Sequence, residues 1–65
     1  MAPHEERVVN EKKELDVKVA ALRSFFTKEI YAELLEDDKT LLRSQERAMS
    51  LYSDILQMRI DRFAK

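Results

Sequence analysis

Residues 8–26 read VVNEKKELDVKVAALRSFF, and their spacing decides the fold. Val8, Leu15 and Leu22 recur every seven residues, with Lys12, Val19 and Phe26 on the flank. That is the apolar stripe of an amphipathic helix. Toward the start of the chain, Pro3 suits a first helical turn, where the N–H it lacks would be unpaired anyway. Glu5 and Glu6 follow it, where the helix dipole favours negative charge. The pattern predicts helix one over about residues 3–26.

Toward the end, Leu42, Met49, Leu56 and Phe63 repeat the same interval, with Leu41, Ala48 and Ile55 beside them. Asp37 or Asp38 is a candidate cap. Arg59, Arg62 and Lys65 lie in the last turns, where the dipole favours positive charge. Helix two is expected over about residues 37–63. Between the helices, Thr27 is a candidate N-cap and IYAELL can form a short connecting helix over about residues 28–35. The acidic ELLEDD reads as a solvated helix start. A short connection makes the helices antiparallel neighbours, in a register that pairs Val8 with Leu56, Leu15 with Met49 and Leu22 with Leu42.

Composition agrees with an all-α fold. The 65 residues, which allow one domain over 1–65, contain no glycine and a single proline. β-Hairpins and Gly-rich phosphate loops need the positive φ that glycine supplies. With no cysteine, no disulfide staples so small a chain, and scaffolds of this kind rely on tight helix packing or on oligomerisation. A second apolar set, including Val9, Val17, Ala20, Ala21, Phe25, Leu51, Met58 and Ile60, exceeds what one hairpin seam can cover. The expected architecture is therefore an antiparallel two-helix hairpin, with its short connecting helix, assembling into a helical-bundle homo-oligomer.

The charges nearly cancel, 12 basic against 13 acidic, which argues against duplex nucleic acid as a partner. Apolar runs are too short to span a membrane, and the start carries no hydrophobic signal segment, so a cytoplasmic location is expected. Ser24, Ser44, Ser50 and Ser53 are scattered without a base and an orienting group, so no catalytic residue and no enzymatic activity are expected. His4 is the only histidine; alone it makes no metal site, and its plainest reading is a surface residue at a helix start. No cofactor is expected.

One polar stripe stands out. Gln45, Tyr52 and Arg59 are spaced by seven beside the seam. In the register above, Tyr52 falls near Glu11 and Lys12, and Arg59 falls near His4, with Arg7 a turn away. Flank residues of this kind are most often salt bridges and hydrogen bonds. The sharper reading is a ligand-binding site made of His4, Arg7, Glu11, Lys12, Gln45, Tyr52 and Arg59. Tyrosine would stack on a base, arginines would pair with phosphates, and the remaining polar groups would hydrogen bond. The positive end of helix one is itself suited to an anion.

The pattern P-H-x-x-R-V-V-x-E-K-x-E-L-D from Pro3, with L-L-x-x-Q-x-x-x-M-x-x-Y-x-x-I-L-x-x-R-I from Leu41, resembles a family of very small proteins encoded by tailed phages, crAss-like phages among them. Where that family tends to have a proline or short turn before helix two, this chain has Glu36 and Asp37. The resemblance covers nearly the whole chain and carries over Pro3, His4, Arg7, Val8, Val9, Glu11, Lys12, Gln45, Met49, Tyr52 and Arg59. It implies similarity to oligomeric anti-defence sponges, helical hairpins that take up cyclic nucleotide or ADP-ribose signals. A second comparison, with sporulation-type aspartyl-phosphate phosphatases, fails because SQERA from Ser44 lacks the leucine and aspartate of their S-Q-x-L-D motif. The sequence thus leads to a phage-encoded, non-enzymatic homo-oligomer that sequesters a nucleotide immune signal. The alternative is a protein-interaction module that inhibits a host or phage protein through a helix face.

Overall fold

The computed structural model describes residues 1–63, and all of its regular structure is helical. Helix α1 spans Pro3–Phe25, α2 Glu29–Ala32 and α3 Glu36–Asp61. Pro3 is at the head of α1, and the Glu5 carboxylate accepts the Ala2 N–H at 2.8 Å, satisfying one donor of the helix start.

The breaks between helices arise without glycine and without positive φ. Each is made by one extended residue ahead of the next helix: Lys28 (φ −88°, ψ 151°) and Leu35 (φ −62°, ψ 148°). Thr27, expected to cap the connecting helix, instead bonds back to the Ser24 carbonyl at 2.7 Å and closes the end of α1. The connecting helix is shorter than expected, four residues in place of about eight. The expected caps Asp37 and Asp38 lie with Glu36 inside the first turn of α3, two and three positions past its N-cap Leu35. There they complement the dipole and make no side-chain cap.

α1 and α3 form an antiparallel hairpin, a rod of 47 × 14 × 14 Å. From α1 its seam takes Val8, Lys12, Leu15, Val19 and Leu22, the stripe expected from the sequence. From α3 it takes Leu42, Met49 and Leu56 as expected, with Leu56 wholly buried. The residues beside them differ from expectation. Leu41, Ala48 and Ile55 face outward, and Lys39, Glu46, Ser53 and Ile60 occupy the seam. Apolarity alone favours the first set. Of its polar members, Ser53 and Glu46 are tolerated because α1 supplies partners, Lys12 and Asp16 for Ser53 and Arg23 for Glu46, while Lys39 pairs with Glu36 of its own helix.

The register differs too. Ser53 bonds both Lys12 and Asp16, so it stands level with the turn between them. The expected register would set it opposite Glu11, so the helices are displaced by roughly one turn. At the connection, Tyr31 of α2 is buried against Phe26 (5.0 Å between ring centroids) and, edge to face, Phe25 (5.9 Å). Its hydroxyl accepts the Arg43 Nε–H at 2.7 Å. This aromatic plug sets the hairpin's closed end.

Candidate functional site

Polar chemistry collects along one flank of the seam. Because α1 turns Lys12, Asp16 and Arg23 toward that flank, and α3 turns Glu46, Ser50 and Ser53 to meet them, two networks form. In the first, Lys12 Nζ donates to Asp16 Oδ2 (2.7 Å) and to Ser53 Oγ (3.0 Å), while the Ser53 hydroxyl donates to Asp16 Oδ1. These hydrogen bonds, from Lys12 first and Ser53 second, hold the Asp16 carboxyl below its ordinary pKa. In the second network, Arg23 donates to Ser50 Oγ (2.9 Å) and lies 3.6 Å from the Glu46 carboxylate. Ser50 donates in turn to Glu46 at 3.0 Å.

Between the networks lies an open cleft of about 240 Å³, lined by Asp16, Arg23, Ser50, Ser53 and Asp54 over a floor of Val19 and Ala20. It offers one guanidinium to an anion and two carboxylates to hydroxyl or amine donors. Among the described residues no group of three or more His, Asp or Glu is placed to hold a metal ion.

The seven residues singled out from the sequence are spread more widely. Lys12 is turned into the seam and engaged there. His4, Arg7 and Glu11 are exposed along α1, and Gln45, Tyr52 and Arg59 along α3. The helical period sets both triplets on the flank away from the cleft. Gln45 donates to Met49 Sδ at 3.8 Å and lies about 21 Å along α3 from Arg59. Among the described residues, no hydrogen bond or ion pair joins any two of the seven. The positive end of α1, a candidate for anion binding, already holds the Glu5 carboxylate. Beside it a pocket of about 340 Å³ is lined by Met1, Glu5, Ile60 and Phe63.

Asp16, Arg23, Glu46, Ser50, Ser53 and Asp54 escaped the sequence reading. The signal for two of them is the alternating 4–3 spacing Leu42, Glu46, Met49, Ser53, Leu56, Ile60, Phe63, which marks one stripe whatever its polarity.

A small helical hairpin with polar networks along an open cleft fits many roles, and comparison with known proteins narrows them. A family model described as Sequestin matches residues 2–62. The chain belongs to the Sequestin family. The name denotes a protein that sequesters what it binds, so this hairpin is a sequestering binding protein. No curated protein and no solved structure gave a match. No helix of the described residues is long and apolar enough to cross a membrane.

Proposed function

We propose that this protein is a phage-encoded, non-enzymatic homo-oligomer that takes up a small anionic nucleotide immune signal in the cytoplasm of the infected cell and withholds it from host defence. Membership of the Sequestin family over residues 2–62 is the observation that carries this reading. The exposed face supports it. Arg7 and Arg59 have no ion-pair partner among the described residues and are available to phosphates. Tyr52, 42% exposed between them and the connection, offers a ring for a base. His4 and Glu11 supply hydrogen bonds on the same face. Lys12 serves the seam, and Gln45 lies too far along α3 to reach the same ligand group from within one chain.

Native mass spectrometry of the protein as purified, then with a panel of cyclic nucleotides and ADP-ribose derivatives, tests the reading. The expected result is an assembly heavier than a whole number of chains by the mass of a nucleotide. Arg7→Ala with Tyr52→Ala should abolish that added mass and leave the assembly intact. Retention in this variant together with loss in Arg23→Ala would move the site to the cleft. The protein-interaction alternative draws on the exposed Leu41, Leu51, Ile55 and Met58. It requires that no nucleotide binds and that a host or phage protein covers this face.

A further inference from the structure

α3 carries a second stripe that the hairpin does not use. Leu41, Ser44, Ala48, Leu51, Ile55 and Met58 recur at alternating intervals of three and four residues, and every one is exposed. At about 100° per residue this stripe lies on the side of α3 nearly opposite the Leu42–Leu56 seam. Alternating three–four spacing over more than two heptads is the pattern with which one helix packs along another.

The flanking charges identify the occupant. We propose that α3 pairs with the α3 of a second copy in an antiparallel, two-fold symmetric coiled coil, which brings the partner's Arg47 beside Asp54 at the rim of the cleft. In that arrangement Leu41 layers on the partner's Met58, Ser44 on the partner's Ile55, and Ala48 on the partner's Leu51, so large side chains meet small or flexible ones. The same register sets Arg47 against the partner's Asp54, Asp38 against the partner's Arg59, and Asp37 against the partner's Arg62. Symmetry makes each contact twice. All six of these charged residues are exposed, and none has an ion-pair partner within the chain among the described residues. A parallel, in-register pairing is poorer, because it stacks Ala48 on Ala48 and Ser44 on Ser44 and opposes Arg62 to Arg62.

The pairing rests on the reading of this protein as a homo-oligomer, and it deepens that reading by making the binding surfaces inter-subunit. In the single chain the cleft sets Asp16 and Asp54 against Arg23. The partner's Arg47 compensates Asp54, the carboxylate that would repel a phosphate, and adds a second guanidinium to the rim. On the other flank the partner's Gln45 comes beside Tyr52, so the residue too distant within one chain is supplied by the second, and Arg59 is shared between the ligand and the partner's Asp38.

Charge exchange tests the geometry on the full chain. One variant carries Arg47→Asp with Arg59→Asp, the other Asp38→Arg with Asp54→Arg. Each alone opposes like charges at four contacts of its own dimer, and the two mixed oppose unlike charges at all four. Native mass spectrometry and sedimentation should show each variant dissociating at least about tenfold more readily than wild type. The mixture should form the heterodimer preferentially, a recovery that misfolded variants cannot give. Homo-assemblies of normal strength with no preference on mixing would overturn the α3 interface and leave the homo-oligomer reading standing. A wild-type protein that stays a single chain at every concentration would overturn both. Nucleotide binding is scored separately, as added mass.

Discussion

Ser53 shows how one short side chain can set a register. It donates to Asp16 and accepts from Lys12, so the rise of α3 along α1 is fixed by hydrogen bonds as well as by apolar contact. Ser53→Ala removes both bonds, and the expected cost is about 1 kcal/mol in urea denaturation. The sign of the accompanying pH dependence follows from Asp16, whose folded-state pKa is lowered from 3.8 by Lys12 and Ser53. A lowered carboxyl pKa stabilises the fold fully above the unfolded value, and the stabilisation is lost as pH falls through the folded one. Stability should therefore decline on acidification below the ordinary carboxylate range, and Asp16→Asn should flatten that part of the profile. A denaturation series across acidic pH in which both proteins lose stability in parallel would remove Asp16 from the account. The sequence displayed Lys12 as a flank residue beside a polar stripe. Its bond to Ser53 was illegible there, because a serine at a seam position carries no apolar signal and its partners lie on another helix.

At the scale of elements, the two long helices were legible and their junctions were not. Seven-residue spacing marks α1 and α3 because period is a property of sequence alone. The breaks depend on single residues, Lys28 and Leu35, taking extended conformation, and neither type announces a turn. On α3 two stripes share the helix, and the more apolar neighbours of Leu42 and Leu56 proved to be the outward ones. Glu46 and Ser53 conceal the inner stripe until Arg23, Lys12 and Asp16 are set beside them. α2, four residues long, has no stability of its own; Tyr31 ties it to α1 through Phe25 and Phe26 and to α3 through Arg43. Tyr31→Phe should cost about 1 kcal/mol through the lost hydrogen bond, and Tyr31→Ala about 3 kcal/mol through the lost ring. Both are measurable by chemical denaturation, and equal effects would mean that the phenol oxygen carries the whole contribution.

The whole molecule is a rod only 14 Å across, with one internal seam and an outward stripe that includes Leu41 at 68% and Leu51 at 61% exposure. A single seam gives a chain without disulfides little apolar burial to set against its conformational entropy. Pairing through α3 adds a second seam and couples folding to association, so the melting temperature should depend on protein concentration. For a dimer that unfolds to single chains, each tenfold rise in concentration contributes about 1.4 kcal/mol per dimer, a shift of about 5 °C for a chain of this size. Leu51→Glu places a carboxylate in the middle of the outward stripe, on the side of α3 away from Leu56. It should abolish the concentration dependence and lower the melting temperature chiefly in concentrated samples, because the inner seam is untouched. Scanning calorimetry of both proteins over a hundredfold concentration range reads this directly. A wild-type melting temperature that does not move with concentration would leave the inner seam as the source of stability and the outward stripe free for a different protein.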